Sequence, residues 1–265
     1  MSLVRIAARI AAVEALKGRT LVGDNVLDSE IGSLQVDADG TLKTDEDAPF
    51  ITVYTDAAST KGSDNSLRAM LINGATDIVF EAGITAAMTE TNTLTDESTL
   101  IGLAIPATDR AFEFYLDIIS RQIGDVITDP DNEWAEIFRS LINSMVTVER
   151  LRTSGADAGT RLAGHQTKIT VNLVADPVRG QPVRPESGMG KFLAKATTLN
   201  DPVVAQQLAV MLAQIDGDPR SWKMEQRRHG MTVAEMDGML LNPIDDTDAN
   251  IAGVDIDAQP FGPSS

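Results

Sequence analysis

Residues 165–176 read HQTKITVNLVAD. Ile169, Val171 and Leu173 alternate with Lys168, Thr170 and Asn172. That is the period of two that puts successive side chains on opposite faces of a strand. The apolar set predicts a core-facing surface, and His165 falls in phase with it. Upstream, residues 145–153 form the other arm of a long hairpin with 161–175, joined by the Gly-rich link SGADAGT and closed by Asp176-Pro177. Two more β-rich runs precede it. One is PFITVYTD at 49–56, carrying Phe50, Ile51, Val53 and Tyr54. The other is 76–88, with Ile78, Phe80 and Ile84 at even positions. A further strand is expected around Leu21–Val26. Residues 57–68 read as a surface loop and 89–99 as a Thr- and acid-rich connection.

Between these runs the period changes to that of a helix. Leu3, Ile6, Ile10 and Val13 mark one buried face of an amphipathic helix that Gly18 ends. Phe112, Tyr115, Ile119, Ile123 and Val126 mark a second helix, capped by Thr108. Asp129-Pro130 has the N-cap and N1 chemistry of a third start, whose stripe is Trp134, Ile137, Phe138, Leu141 and Met145. The alternation predicts an α/β (α+β) fold, an antiparallel or mixed sheet packed against helices. Its strands are expected at Phe50–Thr55, Asp77–Ile84, Met145–Arg152 and Gln166–Val174. Its helices are expected at Leu3–Lys17, Asp109–Val126 and Pro130–Asn143.

Composition changes near residue 178. Residues 1–178 are read as the α/β core and 179–190 as a Pro/Gly-rich linker or arm. Residues 191–242 are read as a small helical extension of three helices, started at Asp201-Pro202, at Asp218-Pro219 and at the capping box Thr232-x-x-Glu235. Residues 243–265 hold five aspartates and neither Lys nor Arg. Such a segment cannot bury enough apolar surface to order itself alone.

The charge narrows the function classes. The 265 residues carry 22 basic and 39 acidic side chains, a net charge of −17. This argues against holding nucleic acid by phosphate neutralisation and against adsorption to anionic membranes. With no Cys, thiolate metal sites, disulfides and cysteine nucleophiles are excluded. The two histidines, His165 and His229, are far apart in sequence. No apolar stretch reaches spanning length, and the N-terminus reads as a mature helix rather than a signal peptide. DADG at 37–40 opens like a calcium loop, but its sixth and twelfth positions are Leu42 and Ala48, where the pattern needs Gly and Glu. Phosphate loops, dinucleotide fingerprints and nucleophile elbows are absent. The aspartates of the tail read as solvated, with weak binding of a hard cation as the other reading. Arg227, Arg228 and His229 complement a helix dipole. No catalytic residue, cofactor or metal is assigned.

The order of helix, strand, acidic loop, PFITVYTD, two helices and hairpin resembles the tail terminator (tail completion) proteins of long-tailed bacteriophages. The likeness rests on Leu3–Leu16, Val22–Ile31 with Asp28 and Ser29, Pro49–Asp56, Pro106–Leu141 and His165–Asp176, and covers roughly residues 1–178. It implies a structural virion protein, not an enzyme, that forms a typically hexameric ring at the head-proximal end of the tail tube. That ring stops tube growth and offers a joining surface to the head connector. The partners implied are other copies of the chain, the tail tube protein and the head–tail connector, with genomic DNA passing through the lumen without specific binding. The chain is longer than short members of the family. Other readings are another neck or head-completion protein of the same particle, or a cytosolic ligand-binding domain or enzyme. Interface candidates are Asp37, Asp39, Asp45, Glu46 and Asp47, facing lumen or tube, together with His165. The alternative for the loop is a solvated position on the outer rim.

Overall fold

The computed structural model describes residues 2–29, 48–60, 72–85, 89–92, 97–100, 108–155, 162–217 and 221–240. Helix α1 (Leu3–Leu16) is followed by strands β1 (Val26–Asp28), β2 (Phe50–Ser59) and β3 (Ala75–Thr85). A small hairpin, β4 (Thr89–Asn92) and β5 (Glu97–Leu100), comes next. Helices α2 (Asp109–Thr128) and α3 (Glu133–Ser140) then lead into the long hairpin of β6 (Ile142–Gly155) and β7 (Leu162–Leu173). Helices α4 (Gly188–Ala196), α5 (Pro202–Ile215), α6 (Ser221–His229) and α7 (Val233–Gly238) complete the described chain. The main sheet has the order β1-β2-β3-β7-β6, with β1 parallel to β2 and every other pair antiparallel. It is a mixed sheet packed on helices, the α/β fold expected.

The expected core-facing surface of β7 is present: Ile169, Val171 and Leu173 are all buried. They share a face with Ile78 and Phe80 of β3 and Val53 of β2, which pair with one another across the sheet. Helix α1 packs against β1, β2, α2, α3 and α4. Its burial differs from the expected single stripe. Ala7, Ala8, Ala11, Ala12 and Ala15 are fully buried, while Leu3 and Ile6 are only partly so. Alanine lets neighbouring elements approach on several sides, so a helix between two layers is enclosed by its small residues. Gly18, at φ +67°, stops it as expected. The helix start is tied to the far end of the core by Asp176, which accepts from Ser2 Oγ (2.6 Å), Leu3 N (3.0 Å) and Val4 N (3.0 Å).

Several boundaries move. The strand expected at Leu21–Val26 is a series of turns closed by Gly23 N donating to Thr20 O at 3.0 Å, and β1 begins only at Val26. Gly23 lies at φ +63°, outside the strand region. Part of the expected 89–99 connection is the β4–β5 hairpin. Asp129 caps the end of α2 rather than starting α3. Asn132 is the N-cap of α3, accepting from Trp134 N and Ala135 N while its amide donates to Ala15 O at 2.9 Å. That exchange is buried and binds α3 to α1. Met145, placed on the α3 stripe by its spacing, lies on β6.

After residue 177 the chain returns to the same core. Met189, Phe192 and Ala196 of α4 and Val204, Leu208, Met211 and Ile215 of α5 belong to one buried cluster with the sheet and α1–α3. Helix α4 falls on residues expected to lie partly in a linker. Its sequence signals are the Ser187 cap, which accepts from Gly190 N, and the spacing of Met189, Phe192 and Ala196. The approach is close: a Cβ at Gly188 would sit 2.5 Å from the Ser140 carbonyl oxygen. The Asp201-Pro202 start of α5 and the Thr232/Glu235 capping box of α7 form as expected. Residues 218–220 and 241–265 lie outside the described residues, so the Asp218-Pro219 cap and the acidic tail do too.

Candidate functional site: the hairpin edge

The β6 strand, INSMVTVERLRTSG, is rich in residues that favour an extended chain. It pairs along its length with β7, which pairs on its other side with β3. In the sheet order β6 is terminal, so its second hydrogen-bonding edge has no strand among the described residues. Two register shifts, at Ile142/Ser144 and Met145/Thr147, interrupt the ladder near its start. Such bulges bend and twist a strand.

The register explains an unusual exposure pattern. Met145 lies opposite Val171 and Val148 opposite Ile169, so both belong to the face that carries the core. Yet Met145 is 57% and Val148 40% exposed, against 0% for Val171 and 6% for Ile169. Helix α2 lies over β3 and β7. The core layer therefore ends one strand short of the sheet. Leu151, opposite Gln166, points to the other face and is 54% exposed, and Val146 at the bulge is 52% exposed. Four large apolar side chains thus stand on both faces of one terminal strand. An exposed, long, apolar edge strand is a template for pairing with another chain. The sequence reading found the hairpin but not this surface. The available signal was the run MVTV, in which Met145 and Val146 are adjacent, breaking the alternation of a strand buried on one face.

His165 sits at the base of this edge, opposite Arg152 of β6 and Ala82 of β3. Its side chain is 14% exposed, under the polar side of α2. Nε2 lies 3.3 Å from Glu113 Oε1, and Nδ1 lies 3.4 Å from Ser120 Oγ and 3.7 Å from Asp117 Oδ1. Arg152 reaches the same Glu113 through Nη2 at 2.8 Å and donates from Nε at 2.9 Å. Burial pushes the Glu113 carboxyl up, but the hydrogen bonds from Arg152 and His165 outweigh it and hold the group below its usual range. The ring contacts are longer than ordinary hydrogen bonds. Their effect is to orient the imidazole and clamp α2 to both strands of the hairpin. His165 supports the edge from within and is not itself on the exposed strand.

On the opposite face, Lys168 pairs with Glu149 at 2.8 Å across the two strands, and Thr170 donates to Asp77 at 2.6 Å. Tyr54 donates to Glu81 at 3.3 Å and accepts from Gln166 at 3.0 Å. Glu81 is buried, which raises its pKa against the smaller opposing effect of the Tyr54 hydrogen bond. Tyr54 is pushed up to about 12, by burial first and then by the Glu81 charge. Asp37, Asp39, Asp45, Glu46 and Asp47 lie outside the described residues. Among the described residues no group of three or more His, Asp or Glu is placed to hold a metal ion, and no helix is long and apolar enough to cross a membrane. The chain matches no known protein-family model and no curated protein.

Proposed function

We propose that this chain is a ring-forming structural subunit of a phage tail, the terminator that caps the head-proximal end of the tail tube. The observation that carries the self-assembling part of this reading is the β6 edge, with Met145, Val146, Val148 and Leu151 exposed beside a hydrogen-bonding rim that no strand among the described residues pairs. A second copy pairing there would cover apolar surface on both faces and continue the ladder. The terminator role rests on the sequence resemblance described above. The charge is compatible with it. Six copies at −17 each carry −102 formal charges, a conduit that repels DNA rather than gripping it. Because like-charged copies repel, the ring must be held by apolar and main-chain contacts. Its assembly should improve as salt shortens the Debye length from ~30 Å at 0.01 M to ~8 Å at 0.15 M. The role is structural and not catalytic.

The test is to assemble particles without this chain and image the tails by electron microscopy. Tails of abnormal length that carry no heads are expected. Tails of normal length joined to heads would overturn the terminator assignment.

A further inference from the structure

A groove of about 1280 Å³ opens where the ends of β2 and β3 meet the 174–188 segment and α6. Among the described residues, five arginines line it: Arg5, Arg179, Arg184, Arg227 and Arg228. That is five of the chain's 22 basic residues, in a molecule with 39 acidic ones. The one carboxylate among the described residues that line the groove is Asp176, and its oxygens are already engaged by the start of α1. Three of the arginines direct donors at main-chain carbonyls. Arg5 Nη2 donates to Thr55 O (2.8 Å) and Asp56 O (2.5 Å), Arg179 Nε to Asp216 O (2.9 Å), and Arg227 Nη1 to Arg179 O (3.4 Å). These contacts to uncharged carbonyls fix the guanidinium groups, and Arg5 also lies in the field of Asp56 and Asp77. Arg5 Nε is buried and has no hydrogen-bond partner. Arg184 stands exposed on the rim.

We propose that this groove seats an anionic peptide segment, the chain's own residues 244–257. Their sequence, IDDTDANIAGVDID, carries five aspartates and no Lys or Arg, with Ile244, Ile251, Val254 and Ile256 between them. The carboxylates match the arginines in charge and in fork geometry. The apolar residues match the Val178 and Val183 part of the wall. The segment follows α6 and α7 along the chain. Arg227 and Arg228 lie in the last turn of α6, and α7 is the one short helix between that turn and Leu240. Five residues from Leu240 to Asp245 span up to ~17 Å. A tethered segment competes at an effective concentration of about millimolar, which favours it over the same segment of another copy. Nucleic acid is the weaker candidate, because a long phosphate chain would have to run past the rest of a strongly acidic surface. This inference does not rest on the assembly role proposed above.

The test uses the full chain with all five aspartates changed (Asp245→Asn, Asp246→Asn, Asp248→Asn, Asp255→Asn and Asp257→Asn), beside the unaltered chain. The probe is a fluorescein-labelled synthetic peptide of residues 243–258, read by fluorescence anisotropy at low salt. The neutral-tail variant should bind the peptide about 100-fold tighter than the unaltered chain, whose own segment blocks the groove. Adding Arg184→Ser should weaken that binding about tenfold, and Arg184→Lys, which keeps the charge but not the fork, by less. Equal binding by the neutral-tail variant and the unaltered chain, or no binding by the variant, would overturn the proposal. So would capture of a DNA oligonucleotide in place of the peptide, which would make the groove a nucleic-acid site. Peptide affinity of the unaltered chain that rises as the protein is diluted would assign the occupant to a neighbouring copy, and would overturn it as well.

Discussion

Ile169 and Val148 face each other across one rung of the same sheet, yet one is 6% exposed and the other 40%. They mark two regions built on different physics. In the first, β1, β2, β3 and β7 lie under α1 and α2, and Phe50, Ile51, Val53, Ile78 and Phe80 are almost wholly removed from water. In the second, β6 is held to β7 by its ladder, by the Lys168–Glu149 pair and by the Arg152–Glu113 contact reaching down from α2. Large apolar side chains occur in both regions, so their presence alone does not separate them. What separates them is the reach of the helix layer. An apolar strand left beyond that layer is stable only because its neighbour is anchored, and it is available for another surface.

The contrast can be broken most directly from the interior. Phe80→Ala removes a ring that is 2% exposed and should cost about 3–5 kcal/mol in urea unfolding. A loss below about 1 kcal/mol would mean that the sheet centre is not where cooperativity resides. Next comes Asn132→Ala. It removes the α3 cap and leaves the Ala15 carbonyl without its donor. A lost cap costs about 0.5–2 kcal/mol and a stranded buried acceptor about 1–3 kcal/mol. Because the two losses overlap at one residue, about 2–3 kcal/mol is expected. The same substitution at Asn143, which sits exposed on β6, should cost far less.

The two regions were not equally legible in the sequence. The interior strands were found because burial on one face imposes period two, as Ile169, Val171 and Leu173 show. Thr108, Asp201 and Thr232 announced their helices because capping is chemistry local to a few residues. The start of α3 was misplaced because Asp129-Pro130 and Asn132 are both good caps, and only the tertiary contact to Ala15 selects Asn132. The alanines of α1 were passed over because close packing on several sides leaves no periodic stripe. Helix α4 was missed because the prolines before it masked a short 189–192–196 pattern. For the candidate site, His165 was named as an interface candidate, but the groups it meets, Glu113 and Ser120, come from a distant helix. The exposed edge was invisible because whether an apolar strand is covered depends on where a helix stops. Of the groove arginines only Arg227 and Arg228 stand in a local basic run, and the others are spread from residue 5 to residue 184, so no sequence pattern joins them.

A third change sharpens the comparison through pH. Glu81 is buried in the anchored part of the sheet, and burial raises its pKa. A carboxyl whose folded pKa is raised contributes most below its unfolded pKa of ~4.3, and that contribution is lost as pH rises through the folded value. Glu81→Gln should therefore raise the melting temperature at neutral pH, with the gain shrinking as pH falls toward 4. It keeps a side chain that can accept from Tyr54. Glu113, at the hairpin, has the opposite sign. Its lowered pKa contributes stability above the unfolded value that is lost as pH falls, so Glu113→Gln should lower the melting temperature at neutral pH. A neutral-pH loss for Glu81→Gln would show that the Tyr54 hydrogen bond outweighs desolvation.

The smallest change in stability is expected at the edge itself, where the functional consequence is largest. Val148 is 40% exposed, so only part of its side chain is packed by the fold. Val148→Lys, whose aliphatic stem can cover part of the same surface, should therefore alter unfolding free energy by less than about 1 kcal/mol. A lysine on an edge strand is also a device by which sheets refuse further strands, since pairing would desolvate its charge beside an apolar neighbour. Self-association measured by sedimentation should fall steeply in this variant while the denaturation midpoint moves little. The added positive charge works against that outcome by reducing repulsion between acidic copies, which makes the test stricter. If assembly is unchanged, the copies meet elsewhere and the exposed edge serves another partner. If both assembly and stability fall, β6 is part of the cooperative core and the division into an anchored region and an available one is wrong.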